Sequence, residues 1–391
     1  MIKTYTKSQI NAKNTILRGK NILLTGRPGT GKTELLRDIC ETYEMKGKKV
    51  IKTSTTGIAA TNFDGGRTIH SVLKWSPRKK DYDYARCSEA LKDASLLILD
   101  EVSMMPGLII NHLKNCLLAR NDRPQIIFSG DFFQFPPVCD KYYPFENPNW
   151  SFFDLEPCVL NEVVRQRNVE YINALEKVMF SDPSCLSYIN EAYYNNYFED
   201  AICLCTVNDL ADMINYWNFT NLSGTAVSYE ANGNIAEANF RTCRVLEKLD
   251  VKVNMRVIAL RNDALGRYQN GSLGTVVDMD RDKIWVRFDN GRLVDVTRVE
   301  FILDNIDTDK DEIAIVQFPL AGGNAISIHK SQGQTFSAVN IWAPVCWASG
   351  QLYVALSRAR DIKGVHLMAP ITADSLKTDP RVIEYYKKLL G

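Results

Sequence analysis

The sequence lacks most features that mark a secreted, zinc-binding or membrane protein. Its 391 residues include only four histidines, and no two of the ten cysteines have C-x-x-C spacing; the closest pair is Cys203 and Cys205. A zinc site is therefore not expected, and free buried thiols in a reducing compartment are the better interpretation. No apolar run approaches membrane-spanning length, and residues 1–20 lack the apolar core of a secretory signal. We expect an intracellular protein of the cytoplasm or nucleoid (an organelle or the nucleus in a eukaryote) with no membrane partner.

The chain also lacks an excess of either charge. Its 47 lysines and arginines against 46 acids give a net charge of +1. The net charge therefore gives no indication of a nucleic-acid partner. Such a partner must be argued from local sites. The length is sufficient for two or three domains with hydrophobic cores.

Short apolar runs alternate with amphipathic helical stretches. Runs typical of buried strands lie at 21–25, 49–53, 96–99 and 125–129, and again at 201–206, 325–329, 340–343 and 365–368. This alternation predicts an α/β fold with two domains, each with a parallel sheet covered by helices. Residues 252–299 differ, because apolar and polar residues alternate there and Asn270-Gly271 and Asp289-Asn290-Gly291 are turn signals. They predict an inserted antiparallel β module.

A glycine-rich loop follows the first strand. Gly26–Thr33 matches G-x-x-x-x-G-K-[ST] between a strand at 22–25 and a helix at 34–40, which is the context that this motif requires. Glycines let successive N–H groups face phosphates at a helix N-terminus. We expect Lys32 to reach the β- and γ-phosphates of a nucleotide and Thr33 to bind Mg²⁺. The loop residues expected to bind the phosphates with them are Gly29, Thr30 and Gly31. A glycine-rich turn without a ligand is the weaker alternative.

A further strand ends in two acids. The apolar run 95–99 leads to Asp100 and Glu101, and carboxylates at a buried strand end need a cation or hydrogen bonds to offset their burial. We expect Asp100 to hold Mg²⁺ and Glu101 to polarise the attacking water as general base. An acidic helix start is the alternative, and it is weak beside the phosphate loop.

Other candidates have less support from the residues alone. Gln134 follows the strand at 125–129 and would sense the γ-phosphate, although from spacing alone a turn with core phenylalanines is favoured. Gln9 could read an adenine edge or complete a capping box with Thr6, and both interpretations stay open. Arg165 and Arg358 could stabilise charge on a transferred phosphoryl group, but a lone arginine is by default a solvated charge.

The ordered set of motifs resembles superfamily 1 helicases of the 5′-to-3′ branch, the Pif/RecD-like group, over nearly the whole chain. The segments similar to that family's seven motifs are Gly26–Thr33, 55–60 with 68–71, 100–104, 130–137, 160–166, 326–335 and 351–358. The stretch before Gly130 is short and lacks the usual Phe-Gly-Gly. A Pif protein proper and a RecD-like relative therefore both stay open.

The resemblance implies an ATP- and Mg²⁺-dependent helicase that moves 5′ to 3′ on single-stranded DNA and unwinds tailed or forked duplex. It implies roles in DNA replication, repair and recombination, with proteins of those processes as partners. The residues that it assigns to the nucleotide are Gln9, Lys32, Thr33, Asp100, Glu101, Gln134, Arg165, Gly333 and Arg358. Those on or near the DNA are Thr56, Gly57, His70, Ser71, Thr206, Asn208, His329, Lys330 and Ser331. Phe135 could stack on a base, with core packing as an equal alternative.

The resemblance also implies two RecA-like domains, 1–165 and 166–391, with ATP between them. A short wedge-type excursion is expected at about 68–88, and a small β-barrel inserted at 252–322. Arg78-Lys79-Lys80 in the excursion could steer the duplex, although a charge run is more often a solvated face. Three alternatives stay open: a translocase that strips proteins with little unwinding, an RNA helicase, and a P-loop ATPase switch stimulated by a protein partner.

Overall fold

Strands and helices alternate along much of the chain. The structure is a computed structural model that describes residues 5–60, 62–75, 82–138, 140–166, 168–235, 245–303 and 313–390. Its α-helices are α1 (Lys7–Leu17), α2 (Lys32–Glu44), α3 (Gly57–Ala60), α4 (Ile69–Val72), α5 (Tyr84–Cys87), α6 (Gly107–Leu118), α7 (Val169–Met179), α8 (Leu186–Asn190), α9 (Asn208–Asn221), α10 (Gln351–Leu356) and α11 (Pro380–Leu390). No helix among these described residues is long and apolar enough to cross a bilayer.

The strands fall into several sheets. They are β1 (Ile22–Gly26), β2 (Lys49–Ser54), β3 (Arg67–Thr68), β4 (Ala94–Asp100), β5 (Gln125–Gly130), β6 (Glu156–Leu160), β7 (Ile202–Cys205), β8 (Val227–Glu230), β9 (Asn232–Gly233), β10 (Lys248–Val251), β11 (Arg256–Ala259), β12 (Leu273–Met279), β13 (Lys283–Phe288), β14 (Leu293–Thr297), β15 (Val299–Leu303), β16 (Ile313–Gln317), β17 (Leu320–Gly322), β18 (Ala325–Ser327), β19 (Val339–Trp342) and β20 (Val365–Leu367).

The chain forms two compact units, one of residues 1–197 with 335–391 and the other of residues 198–334. In the first unit, six parallel strands form a sheet in the order β3-β2-β4-β5-β1-β6. The carboxyl ends of neighbouring parallel strands lie at one edge, where ligands bind in open α/β sheets. The strands β1, β4 and β5 end there at Gly26, Asp100 and Gly130. Parallel pairing also joins β19 to β20.

The core of this sheet explains the position of α2. Its buried side chains recur at helical spacing and are Leu35, Leu36, Ile39, Cys40 and Tyr43. They pack against one sheet face and α1, in a cluster that includes Ile16, Ile22, Leu24, Leu96, Ile98 and Ile127. Each such buried aliphatic side chain contributes about 1.5–3 kcal/mol. This packing holds the N-terminus of α2 at the end of β1.

Helix α11 packs on the segment that follows β5. The rings of Phe133 and Tyr386 stack with centroids 4.8 Å apart, and those of Phe145 and Tyr385 with centroids 4.0 Å apart. The Tyr386 hydroxyl also lies 2.5 Å from Thr25 Oγ1, at the end of β1. The last helix therefore supports the loops at the sheet edge, although it is distant from them in sequence.

The second unit contains the predicted antiparallel module. Five antiparallel strands pair in the order β14-β13-β12-β11-β17, and both predicted turns lie between its strands. Gly271 and Gly291 adopt φ of +84° and +85° there, which glycine alone adopts without strain. The apolar residues predicted from the alternation, Ile284, Val286 and Phe288, form its core. Closure of the module into a barrel stays a prediction.

Smaller sheets complete the second unit. The strands β15, β16 and β9 form one antiparallel sheet, and β8 and β10 form another. The strands β7 and β18 pair in parallel. Parallel sheets with helices, together with an inserted antiparallel module, confirm the predicted α/β class.

The predicted excursion at about 68–88 contains the short helices α4 and α5. The rings of Tyr82 and Tyr84 contact the ring of His112 on α6, with centroids 4.4 and 5.4 Å away. This end of the excursion is therefore packed on the first unit. Residues 76–81, which include Arg78-Lys79-Lys80, lie outside the described residues, so the duplex-steering hypothesis stays a prediction.

Candidate functional site

The phosphate loop, Gly26–Thr33, connects β1 to α2. Gly29 and Gly31 adopt φ of +83° and +82°, a region that residues with a side chain rarely enter. The half-buried Lys32 begins α2, and its Nζ donates to Gly26 O at 2.5 Å and to Arg27 O at 3.1 Å. Burial lowers the pKa of Lys32, while Asp131 and the acids after β4 oppose that shift. The lysine is thus a desolvated cation folded over the loop.

Two segments hold the phosphate loop through its backbone carbonyls. Gln9 Nε2 donates to Thr30 O at 2.9 Å, while Gln9 Oε1 accepts from Thr6 N at 2.9 Å. The capping box at Thr6 is therefore confirmed, and both amide atoms of Gln9 bind backbone. From the second segment, Val164 N and Arg165 N donate to Gly29 O at 2.8 and 3.0 Å. An adenine contact by Gln9 stays a prediction.

The two acids at the end of β4, its last residue Asp100 and the next residue Glu101, have different surroundings. Asp100 is buried and its Oδ1 accepts from Ser129 Oγ at 2.8 Å. Burial, reinforced by the nearby charge of Glu101, raises the pKa of Asp100. Glu101 adopts a left-handed φ of +54°, which costs about 1–2 kcal/mol in a residue with a side chain. Its carbonyl accepts from Thr55 Oγ1 at 2.8 Å. Strain of this kind is concentrated at functional positions.

The two acids could bind a divalent cation whose remaining coordination positions are filled by phosphates and water. Among the described residues, no group of three or more histidine, cysteine or acidic side chains could hold a metal by itself. Mg²⁺ typically takes one or two protein oxygens and completes its shell with phosphates and water. The buried carboxylate of Asp100, whose pKa burial raises, and the Thr33 hydroxyl at the start of α2 fit that pattern.

The segment 130–135 after β5, here called the sensor segment, contains a buried acid. Asp131 Oδ1 accepts from Phe133 N at 3.1 Å, and Oδ2 lies 3.2 Å from the Tyr353 hydroxyl and 3.5 Å from Gln134 Nε2. Gln134 is 4% exposed, and its Oε1 has no hydrogen-bond partner among the described residues. Phe135 is also 4% exposed. Because so little of the Phe135 ring is exposed, core packing is favoured over base stacking.

The two candidate arginines lie near one another, because Arg165 binds the residue that precedes Arg358. Arg165 Nη1 donates to Ser357 O at 3.3 Å, and Gln166 Nε2 donates to Ala359 O at 3.1 Å. Arg358 is 1% exposed, and its Nε donates to Val354 O at 2.9 Å.

Neither guanidinium has the environment of a solvated surface charge. Burial, followed by the charge of Arg165, lowers the pKa of Arg358 to about 9. Burial, followed by the charge of Arg360, lowers the pKa of Arg165 to about 10. Desolvated cations close to one another favour an anion between them.

The candidate DNA residues lie at carboxyl ends of parallel strands. In the first unit, Thr56 and Gly57 connect β2 to α3, and His70 and Ser71 belong to α4. The Ser71 hydroxyl receives a hydrogen bond from Arg67 Nη2 at 2.6 Å. The backbone N–H of Ala59 donates to Thr56 Oγ1 at 3.2 Å.

In the second unit, the candidate DNA residues follow the paired strands β7 and β18. They are Thr206, Asn208, His329, Lys330 and Ser331, with Gly333 in the next turn at φ +80°. Ser331 is buried and its Oγ donates to Ile328 O at 2.7 Å. Because β7 and β18 are parallel neighbours, the segments that follow them leave the same edge.

Some residues of this site received no role from the sequence. Asp131, Gln166 and Tyr353 lie inside the recognised motifs, and Ser129 directly precedes one. Only the structure shows what their side chains contact. A signal for Asp131 was available, because it directly follows a buried strand, much as Asp100 ends one. Tyr353 had no such signal, since a tyrosine in an apolar helix is ordinarily a core residue.

Gly29→Ala should weaken ATP binding by about 10-fold or more, because a misplaced methyl group commonly costs 1–3 kcal/mol. A Cβ at this position would lie 2.5 Å from Arg165 Cβ and 2.6 Å from Gln166 Oε1. The matched control is Gly19→Ala, where φ is +81° and no described atom lies within 4 Å of the new Cβ. Binding of a fluorescent ATP analogue and thermal unfolding would compare the variants. Equal nucleotide affinities would contradict the prediction.

Comparison with known proteins agrees with this geometry. The PIF1-like helicase family matches residues 4–152, and the UvrD-like helicase C-terminal domain matches residues 322–362. The ATP-dependent DNA helicase Pif1 of Bdellovibrio bacteriovorus is 31% identical over 98% of this chain and 92% of its own length. The human ATP-dependent DNA helicase PIF1 is 29% identical over 98% of this chain, which covers 64% of the human protein.

Solved structures are similar over the full length. The Pif1 helicase from Candida albicans has a TM-score of 0.86 at 26% identity, with 100% of both chains covered. Bacteroides Pif1 in complex with ADP-AlF3 and single-stranded DNA has a TM-score of 0.75 at 29% identity, over 99% of this chain and 97% of that one. The full-length likeness to the bacterial protein, on a fold with this phosphate loop, shows that the chain belongs to the PIF1-like helicases.

Proposed function

We propose that this chain is an ATP-dependent DNA helicase that binds Mg²⁺–ATP at the phosphate loop and moves 5′ to 3′ along single-stranded DNA as it hydrolyses the nucleotide. The observation that carries the proposal is the cluster of Lys32, Arg165 and Arg358 beside the acids that follow β4. The pKa of each of these three cations is lowered by burial. A polyphosphate would give all three a common anionic partner.

The binding step uses the phosphate loop. Its backbone N–H groups and Lys32 would hold the β- and γ-phosphates, as at other strand–loop–helix phosphate sites. In the described contacts Lys32 Nζ is bonded only to loop carbonyls, Gly26 O and Arg27 O. It can exchange those weak acceptors for phosphate oxygens by a side-chain rotation. The bonds from Val164 and Arg165 to Gly29 O keep the loop rigid meanwhile.

The magnesium ligands in this proposal are Thr33 and Asp100. Bound there, Mg²⁺ would supply Lewis-acid stabilisation of the phosphate oxygens. Ser129 Oγ donates to Asp100 Oδ1 and so holds one carboxylate oxygen in a fixed direction. The raised pKa of Asp100 indicates that its anionic form gains from a nearby cation.

The hydrolytic step divides among three kinds of side chain. Glu101 would polarise the attacking water, and Gln134 would orient it through its buried Oε1. Arg165 and Arg358 would stabilise the negative charge that spreads over the γ-phosphoryl oxygens. Their guanidiniums lie in a desolvated site, where such stabilisation is stronger than in water.

We propose that hydrolysis changes the affinity for DNA through a movement of α10. When the γ-phosphate leaves, Arg165 and Arg358 lose their shared partner and the arginines repel each other, which favours a shift of α10 away from the phosphate loop. Segments after β2, β7 and β18 would hold DNA phosphates through hydroxyls and backbone N–H groups. DNA as the ligand is supported by the relatives, since Pif1 helicases were solved with single-stranded DNA and at forked double-stranded DNA.

The domain organisation is also part of the proposal. We propose RecA-like domains at 1–165 and 166–391, with a wedge at about 68–88 and the β module at 252–322 as an accessory to the second. We also propose that the protein works in the cytoplasm or nucleoid (an organelle or the nucleus in a eukaryote), with proteins of replication or repair as partners.

Unwinding of matched 5′- and 3′-tailed DNA duplexes tests activity, substrate and polarity together. With Mg²⁺–ATP, the 5′-tailed duplex should be separated and the 3′-tailed duplex should not. ATP turnover should rise strongly with single-stranded DNA and less with RNA of the same sequence. Unwinding of the 3′-tailed duplex alone would contradict the polarity. DNA-stimulated turnover without unwinding of either duplex would favour the protein-stripping translocase.

A further inference from the structure

Helix α10 and the sensor segment are in direct backbone contact within the first unit. Gly350 precedes α10 with φ of +74°. A Cβ at Gly350 would overlap Phe133 O and lie 2.7 Å from Gln134 O. The start of the helix therefore touches the main chain of the sensor segment, and a movement of one displaces the other.

A buried hydrogen bond joins the same two elements. The Tyr353 hydroxyl on α10 donates to Asp131 Oδ2 at 3.2 Å, and both residues are buried. Burial raises the pKa of Asp131, and the charge of Lys32, followed by the hydrogen bonds that Asp131 accepts, opposes that shift. A buried carboxylate is costly unless donors surround it. Tyr353 is one of three described donors to the Asp131 carboxylate, with Phe133 N and Gln134 Nε2.

Asp131 in turn determines which way the Gln134 amide faces. A carboxylate only accepts hydrogen bonds, so it must meet the NH₂ end of the amide. That contact, 3.5 Å from Gln134 Nε2 to Asp131 Oδ2, turns Oε1 away from Asp131. Gln134 Oε1 is buried without a hydrogen-bond partner among the described residues. An acceptor presented in this way suits a water that must donate a proton while it attacks.

Tyr353 lies on α10, and Arg358 lies just beyond the end of the same helix. Arg358 Nε donates to Val354 O at 2.9 Å, so the guanidinium is attached to the helix that carries Tyr353. A shift of α10 moves both side chains together. It would also change the contact between Tyr353 and Asp131.

We propose that Tyr353 is a positioning residue that couples α10 to the sensor Gln134 through Asp131. Arg358 and Gln134 then reach their catalytic positions in the same movement of α10. The proposal rests on the proposed function, because it assigns Gln134 to the attacking water. It adds a coupling between the sensor and the arginine that does not involve the nucleotide itself.

Tyr353→Phe removes only the hydroxyl and tests the coupling. We expect kcat for ATP hydrolysis to fall about 10-fold, with KM for ATP within about twofold of wild type, because the lost bond acts on the transition state. The matched control is Tyr171→Phe. Its hydroxyl donates to Leu356 O at 2.6 Å, so it also binds α10 but does not contact Asp131. The control should retain wild-type kcat and KM.

A double-mutant cycle separates positioning from general destabilisation. If Tyr353 acts through Gln134, Tyr353→Phe should have little further effect on kcat in a Gln134→Ala background. Tyr171→Phe should behave alike in both backgrounds. Multiplicative losses from Tyr353→Phe and Gln134→Ala would overturn the proposal, as would equal losses from the two tyrosine variants.

The cycle is measured on ATP turnover without DNA, so its outcome is independent of helicase activity. A wild-type chain that hydrolyses ATP but shows neither DNA stimulation nor unwinding would contradict the proposed function. The double-mutant cycle on kcat could still be measured in that case. A wild-type chain without any ATP turnover would overturn both.

Discussion

Lys32→Ala should reduce ATP turnover by about 10³-fold or more, since one donor to a developing anion alone contributes about 10²–10³ and this lysine also binds the phosphates of the ground state. Binding of single-stranded DNA should persist, because the candidate DNA residues lie in other segments. Steady-state ATPase assays and fluorescence anisotropy with a labelled oligonucleotide measure the two properties.

The fold should survive this substitution. Lys32 Nζ is bonded to two carbonyls of its own loop, and a net hydrogen bond contributes about 1 kcal/mol. Lys46→Ala, at an exposed position just beyond α2, is the matched control and should hydrolyse ATP at the wild-type rate. Normal turnover by the Lys32 variant, with an intact fold, would refute the nucleotide site.

Arg358→Ala should lower kcat by about 10³-fold or more, the range that an arginine at a transferring phosphoryl group contributes. Nucleotide affinity should change far less, because the charge that Arg358 stabilises develops in the transition state. The affinity of a fluorescent ATP analogue and single-turnover hydrolysis would be measured side by side. Equal losses of affinity and rate would argue against a role reserved for the transition state.

Because Arg358 is buried, the controls must separate a loss of catalysis from a loss of folding. Arg123→Ala removes an exposed arginine that donates to Leu117 O and should leave kcat and affinity unchanged. Arg358→Lys keeps a positive charge but loses the planar fork, so it should restore little of the rate. A thermal midpoint for Arg358→Ala close to that of wild type would show that the lost rate does not reflect unfolding.

The phosphate loop was predictable because its physics is local. A strand, a flexible loop and a helix N-terminus within one short stretch define a phosphate site whatever surrounds them. The acids after β4 were predictable for a related reason, since an apolar run that ends in Asp100 and Glu101 requires compensation in any fold. The alternation at Ile284, Val286 and Phe288 gave the antiparallel module in the same way, because the side-chain period of a strand is two.

The arginines were not predictable from their surroundings in sequence. Arg165 and Arg358 are far apart along the chain, and each alone is most simply a surface charge. Chain folding brings Arg165 to the carbonyl of Ser357 and buries the guanidinium of Arg358, which removes the solvent that the default interpretation assumes. The family resemblance, not the residues themselves, had selected them.

Three details depended on tertiary contacts. Gln9 binds the backbone at both ends of its amide, although the sequence left an adenine contact equally open. Phe135 is buried by the packing around the sensor segment. The bond from Tyr353 to Asp131 joins residues that are separated by most of the chain, so no spacing rule could have indicated it.

The sequence alone determined the fold class and the position of the phosphate loop and its acids, since hydrophobic periodicity and short-range backbone geometry act between neighbours in the chain. The tertiary structure alone decided which cations lose their water, which amide atoms have no hydrogen-bond partner among the described residues, and which helix contacts the sensor segment. Those properties depend on desolvation and on contacts between distant segments, and such contacts exist only after the chain has folded.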